Sequence, residues 1–112
     1  MIAVLDIGGT SIKYGVISAK EGSGRLLEQG SSDSNARRLG GPGIVEKVTG
    51  IVQRLRRTYQ IEGIAVSTAG MVDAESGTIL YANENIPQYT GTELKRILEE
   101  RFHVPCWVEN DV

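Results

Sequence analysis

The order of apolar patterns along the chain predicts an α/β fold built on an open, mixed sheet of about five strands. Two short apolar runs on either side of Gly8-Gly9 indicate an antiparallel hairpin, since so short a turn joins neighbouring strands. A helical spacing of apolar residues then separates the hairpin from a further β-branched run, which predicts a right-handed parallel crossover. A second helix followed by a strand repeats this arrangement near the end of the chain.

The first third of the sequence predicts three strands and two connections. Strands are expected at residues 2–7 and 10–18, and paired glycines between them reach backbone angles that other residues avoid. Residues 19–24 form a polar loop, and residues 26–29 an edge strand. Residues 30–41 are rich in Ser, Gly and Asn, and are expected to be a mobile connection.

The middle of the sequence predicts a helix, a strand and a run of turns. Pro42 is expected at the first position of the helix, where its missing N–H costs nothing. The apolar residues behind it share one helical face: Ile44, Val45, Val48, Ile51, Val52, Leu55 and Tyr59. A strand follows at 61–67, then turns at 68–70 and 73–77, and then a short extended piece at 78–81.

The last part predicts a capped helix and a final strand. Residues 83–91 are polar and irregular, and Thr90 with Glu93 forms a T-x-x-E capping box. The helix behind it carries Leu94, Ile97, Leu98 and Phe102 on one face. A strand is expected at 104–108, with a polar triplet at its end.

Composition excludes several classes of protein. Among 112 residues, 12 basic and 14 acidic side chains give a formal net charge of −2, which offers no electrostatic reason to expect nucleic acid or membrane as a partner. One cysteine and one histidine cannot form an internal disulfide or a four-ligand zinc site. No signal peptide or membrane span is visible, so we expect a cytoplasmic protein.

The first candidate site is the motif D-x-G-G-T-x-x-K formed by Asp6, Gly8, Gly9, Thr10 and Lys13. A glycine turn with free N–H groups can cradle phosphate oxygens, and Thr10 adds a hydroxyl donor. Asp6 at the strand end could hold Mg²⁺ through water, because Mg²⁺ binds few carboxylates and keeps several waters. From spacing alone, an ordinary hairpin turn is the better explanation of the motif.

Two further polar clusters are candidates for a sugar-binding site. Glu109, Asn110 and Asp111 follow the last strand, where a carboxylate could position a hydroxyl for phosphoryl transfer. Asn83, Glu84 and Asn85 precede the second helix. Taken alone, both clusters are also explained as ordinary turn chemistry, since Asn tolerates left-handed backbone angles.

Together these motifs resemble the ROK family (repressors, open reading frames and kinases). Four stretches carry the resemblance, in the family's order and at similar spacing: residues 5–13, residues 67–73, residues 85–87 with Gly91, and residues 108–111. The resemblance implies the actin-like ATPase fold, which is also ribonuclease H-like, in a two-lobe kinase. It also implies ATP with Mg²⁺ between the lobes and transfer of the γ-phosphoryl group to a sugar hydroxyl.

The resemblance assigns roles residue by residue. The residues matching the first phosphate motif are Asp6, Gly8, Gly9, Thr10 and Lys13. The residues matching sugar-side positions are Gly70, Asn85, Glu109 and Asn110, and Asp111 matches the general base. Ser67 and Thr68 line the same loop as Gly70, although Ala69 stands where family members commonly have proline.

The resemblance also implies what lies outside residues 1–112. The second phosphate motif, the adenosine pocket and a cysteine-rich zinc motif belong to the C-terminal lobe of the family, so the 112 residues are expected to be a truncated N-terminal lobe that is inactive alone. One alternative is a sugar-responsive repressor, but such repressors carry a helix-turn-helix module before the first strand, which is expected here to start at Ile2. Another alternative is a non-catalytic domain. A separated lobe exposes apolar surface, so a homodimer is a further hypothesis.

Overall fold

A computed structural model describes residues 1–18 and 24–111 of the chain. Most of the predicted loop at 19–24 lies outside the described residues. The strands are β1 (Ile2–Ile7), β2 (Ser11–Ser18), β3 (Arg25–Asp33), β4 (Gly63–Thr68), β5 (Met71–Asp73), β6 (Thr78–Tyr81) and β7 (Cys106–Asn110). The helices are α1 (Ala36–Thr58) and α2 (Leu94–Phe102). Within the described ranges, neither helix is both long and apolar enough to cross a bilayer.

The main sheet has five strands in the order β3-β2-β1-β4-β7. β1 pairs with β2 in antiparallel register and with β4 in parallel register, and β4 pairs with β7 in parallel. The predicted hairpin, the parallel pairing of β4 with β1 and the mixed five-stranded sheet are therefore confirmed. A separate two-stranded ribbon is formed by β5 and β6.

The two faces of the sheet differ in their cover. Alternate strand residues such as Leu5, Ile64 and Val108 belong to one buried cluster. The apolar side chains of both helices join that cluster, so α1 and α2 pack on the same face. The opposite face, the helix-free face, bears exposed residues, among them Asp6 and Trp107, the latter 54% exposed. Polar groups on this face therefore stay accessible.

The prediction for residues 30–41 is wrong. β3 continues to Asp33, and α1 begins at Ala36, six residues before the predicted start. Gly30 lies within this strand, and glycine is needed there because the ring of Tyr14 occupies the space where a side chain would stand. Pro42 does lie in the first turn of a helical segment, but that segment follows a kink at Gly40, whose φ is 64°.

The predicted capping box is also wrong. Glu93 is the residue before α2, and its carboxylate pairs with Arg96 at 2.6 Å instead of closing a box. The Thr90 hydroxyl accepts a hydrogen bond from the backbone N–H of Ala82 at 3.0 Å. Thr90 therefore stabilises the preceding loop, not the helix.

Candidate active site

The carboxyl ends of β1, β4 and β7 meet at one edge of the sheet, because the three strands are parallel. The backbone of Thr68 lies at the centre of this edge: Ala69 N donates to Ile7 O at 2.8 Å, and Asp111 N donates to Thr68 O at 3.0 Å. Gly8 and Asp111 therefore flank the end of β4. Two strand spacings put them about 10 Å apart.

A row of polar side chains crosses the helix-free face just before this edge. Asp6, Ser67 and Glu109 are register partners on β1, β4 and β7. The Ser67 hydroxyl donates to Asp6 Oδ1 at 3.0 Å. Lys13 on β2 is the register partner of Asp6 on its other side. A cation, a hydroxyl and two carboxylates thus form one continuous polar strip.

Two shallow cavities share this strip. One, of about 290 Å³, is lined by Asp6, Lys13 and Ser67 together with apolar side chains of β1 and β3. The second, also about 290 Å³, is lined by Ser67, Glu109 and Asn110, with Trp107 as its aromatic wall. The polar strip therefore lines two adjoining recesses, and Ser67 lies in both.

The glycine turn differs from its prediction in an informative way. Gly8 N donates to Ser11 O at 2.9 Å, which closes the hairpin. Neither glycine has a positive φ, so the expectation of unusual backbone angles is wrong. A Cβ at Gly9 would meet no described atom within 4 Å, and Gly9 and Thr10 are exposed. The fold therefore has no internal need for glycine at position 9.

Gly70, by contrast, is required by the fold. Its φ is 101°, and a Cβ there would lie 2.7 Å from the carbonyl oxygen of Tyr81. Next to it, the hydroxyls of Thr68 and Tyr89 are 2.7 Å apart and buried. Since Thr68 donates to its neighbour's carbonyl, Tyr89 donates to Thr68. Burial raises the pKa of Tyr89 to about 12.

Asn85 lies in the loop between β6 and α2. Its backbone N–H donates to Asn83 Oδ1 at 2.9 Å, while Ile86 and Tyr89 anchor the loop in the core. Tyr89 thereby joins this loop to the strand edge through Thr68. Over residues 1–18 and 24–111, no hydrogen bond connects the Asn85 side chain with the carboxylates of the polar strip.

The donor set at the edge fits Mg²⁺ and does not fit a metal held by protein ligands alone. In the part of the chain that the structure describes, no three His, Cys, Asp or Glu side chains cluster. Asp6 is exposed and offers a carboxylate beside a hydroxyl, which suits an ion that keeps waters and binds phosphate. Cys106 is buried away from any such role, and burial with the charge of Glu99 raises its pKa to about 12.

Three residues that organise the edge were given no such role from sequence. Ser67 was predicted only to end a strand and to line the loop of Gly70, yet its hydroxyl bonds Asp6. Parallel register with β1 was the signal available. Tyr89 and Ser34 carry no motif. Ser34 is fully buried and bonds the glycine turn through its hydroxyl, which donates to Gly9 O at 3.1 Å.

Comparison with known proteins decides the family. The model of the ROK family matches residues 2–112. The chain belongs to the ROK family. An uncharacterized protein of Clostridium perfringens is 54% identical over the whole chain, which covers 37% of that protein. The β-glucoside kinase of Klebsiella pneumoniae is 35% identical over 98% of this ROK chain and 34% of the kinase.

Solved structures of ROK proteins share the fold. A ROK glucokinase from Streptomyces griseus, in complex with glucose and AMPPNP, superposes with a TM-score of 0.80 at 30% identity, over 98% of this chain and 33% of the glucokinase. The ROK hexokinase of Thermus thermophilus gives 0.78 at 32% identity, over 98% and 35%. The ROK chain thus spans about a third of these relatives, and its sheet is that of their actin-like ATPase fold.

Proposed function

We propose that this ROK chain forms the N-terminal lobe, residues 1–112, of an ATP-dependent kinase that phosphorylates a hexose or a hexose derivative. The observation that carries the proposal is the shared strand edge, where Gly8 and Asp111 flank the end of β4. Phosphoryl transfer depends mainly on positioning, so a phosphate-binding turn and a carboxylate beside one recess are the parts it needs.

The phosphate side of the proposed site is the glycine turn. The N–H groups of Gly9 and Thr10 are proposed to bind ATP phosphates, and the absence of a side chain at Gly9 lets the phosphate approach. Gly8 is proposed to close the turn that presents these donors, since its own N–H donates to Ser11 O. Lys13 supplies positive charge beside Asp6. Asp6 is proposed to hold Mg²⁺ through water, and the ion would neutralise charge on the transferred group.

The sugar side of the proposed site is the end of β7. Asp111 is proposed to accept the proton of the attacking sugar hydroxyl, and Glu109 and Asn110 to bind neighbouring hydroxyls. Both Glu109 and Asn110 line the recess walled by Trp107. Gly70 and Asn85 are proposed to complete this side, since their loops meet at the Thr68–Tyr89 hydroxyl pair.

The remaining expectations follow from the size of the chain. Because it spans about a third of its relatives, we propose that a second lobe supplies the adenosine pocket, and any zinc site, and that residues 1–112 do not catalyse transfer alone. We also propose a cytoplasmic location. Homodimerisation is a further hypothesis, which a sedimentation experiment can test. A clean monomer at high concentration would refute the dimer.

The test is a coupled assay of ADP release with the whole protein to which the chain belongs, ATP, Mg²⁺ and a panel of sugars that includes glucose and a β-glucoside. We expect sugar-dependent turnover, and Asp111→Asn should lower kcat by about 10²–10⁴-fold with sugar binding retained. Glu46→Gln, at an exposed carboxylate of α1, is the matched control. An Asp111→Asn variant as active as wild type removes Asp111 from the mechanism.

A repressor is the second candidate function. The xylose repressor of Bacillus spizizenii is 23% identical over 96% of the chain, so the family includes regulators. A whole protein that transfers no phosphoryl group, but binds DNA in a sugar-dependent manner, would favour this alternative. Sugar-dependent ADP release would refute it.

A further inference from the structure

The buried Ser34 makes the only hydrogen bonds, among those of the described residues, that join the glycine turn to the start of α1. Its hydroxyl donates to Gly9 O at 3.1 Å, and its backbone N–H donates to Thr10 O at 3.0 Å. It lies 25 residues from Gly9 in sequence and is fully buried. Ser34 thus holds two carbonyls of the turn, those of Gly9 and Thr10.

Fixing those two carbonyls fixes the direction of the next N–H groups. A peptide unit is planar, so holding the oxygen of Gly9 sets the orientation of the N–H of Thr10 in the same unit. Likewise, holding Thr10 O sets the N–H of Ser11. Since the exposed turn contains glycine, which has wide backbone freedom, these two bonds limit how far its donors can rotate.

The segment that carries Ser34 is bonded to its surroundings. Ser34 Oγ also receives a hydrogen bond from Ala36 N at 3.4 Å, and Ala36 is buried in the core. At the other end of this first helical segment, Gly41 N donates to Pro87 O at 2.8 Å. A Cβ at Gly40 or Gly41 would collide with the backbone of Pro87 or Gln88. The segment from Ser34 to Gly41 is therefore attached at both ends.

We propose that Ser34 is a positioning residue for nucleotide binding: it holds the backbone of Gly9 and Thr10 so that the donors of the turn face the ATP phosphates. This role rests on the proposed kinase function. Ser34 touches no substrate in this assignment, and it acts through the two carbonyls alone.

The test compares kinetic constants of the whole protein with those of Ser34→Ala. Loss of one hydrogen bond that orients the turn should raise KM for ATP about tenfold and leave KM for the sugar within about twofold. Ser31→Ala, at an exposed serine of β3, should change neither constant. A merely structural serine would lower the melting temperature without this selective change, so equal KM values for ATP in Ser34→Ala and wild type would overturn the proposal.

A second measurement needs no variant. Because coupling is reciprocal, binding of AMPPNP with Mg²⁺ to the wild-type protein should slow hydrogen exchange at the amide of Ser34, which donates to Thr10. Unchanged exchange at Ser34 under saturating AMPPNP would refute the role. A wild-type protein without transfer activity counts against the proposed function, whereas an active wild type with an unaltered Ser34→Ala counts against this inference alone.

Discussion

Gly9→Ala separates what the fold requires from what a ligand requires. A Cβ at Gly9 would contact no described atom within 4 Å, and the backbone there avoids positive φ. Adding a methyl group should therefore leave the native structure intact. Since alanine has less backbone freedom than glycine when unfolded, the free energy of unfolding should stay constant or rise by about 0.4–1 kcal/mol.

The same methyl group should impair nucleotide binding. It would occupy the open side of the turn, where the proposed phosphate approaches. The free energy of ATP binding should become less favourable by roughly 1–3 kcal/mol, the range for one lost buried polar contact. At 1.4 kcal/mol per tenfold change, KM for ATP should rise about 5- to 150-fold. The assay is sugar-dependent ADP release at varied ATP, accompanied by thermal unfolding of the same preparation.

Gly50→Ala is the matched control for this experiment. Gly50 is also exposed with no described atom within 4 Å of its Cβ position, but it lies in α1. Its replacement should stabilise the helix by about 0.8–1 kcal/mol and leave both KM values unchanged. An unfolded Gly9→Ala, or one that keeps the wild-type KM for ATP, would contradict the reasoning.

Three further predictions concern two buried groups, Tyr89 and Cys106. Tyr89→Phe removes the hydroxyl that donates to Thr68 and should lower the free energy of unfolding by about 0.5–1.5 kcal/mol in urea, with an unchanged value counting against the hydroxyl pair. Because the pKa of Tyr89 is raised to about 12, the folded state favours the protonated phenol. The resulting contribution to the free energy of unfolding is complete below pH 10 and is lost between pH 10 and 12. Absorbance at 295 nm should follow the ionisation of the phenol over this range. Cys106, with its pKa raised to about 12 from 9.0, should resist iodoacetamide at pH 8 until urea unfolds the protein, and rapid native alkylation would show that it is not buried.

The periodic elements could be predicted from sequence because burial alone determines their pattern. The alternation in β1 and the helical spacing from Ile44 to Leu55 both follow which face meets the core. The connection before α1 could not be predicted in this way. Its glycines read as a flexible loop, whereas Gly30 and Gly40 are present to admit the Tyr14 ring and the Pro87 backbone, which are distant in sequence.

The candidate site could be predicted from the sequence only as far as the order of the strands could be predicted. Once β1, β4 and β7 are parallel neighbours, the motifs at their ends must meet at one edge. The Ser67–Asp6 bond needs the register as well, and the Ser34 anchor needs the course of the chain after β3. Neither leaves a local pattern, since serine is equally common in loops. The functional roles of the motif residues stay predictions.

The chain carries a single tryptophan, and its position makes it a spectroscopic reporter. Trp107 stands half exposed on the helix-free face, against Gly63 and beside the recess of Glu109 and Asn110. Its indole is partly in contact with water, so its fluorescence should be red-shifted relative to that of a buried indole. Any molecule or protein segment that covers this recess should shift the emission of Trp107 to shorter wavelength, which gives a label-free titration signal from the single tryptophan of residues 1–112.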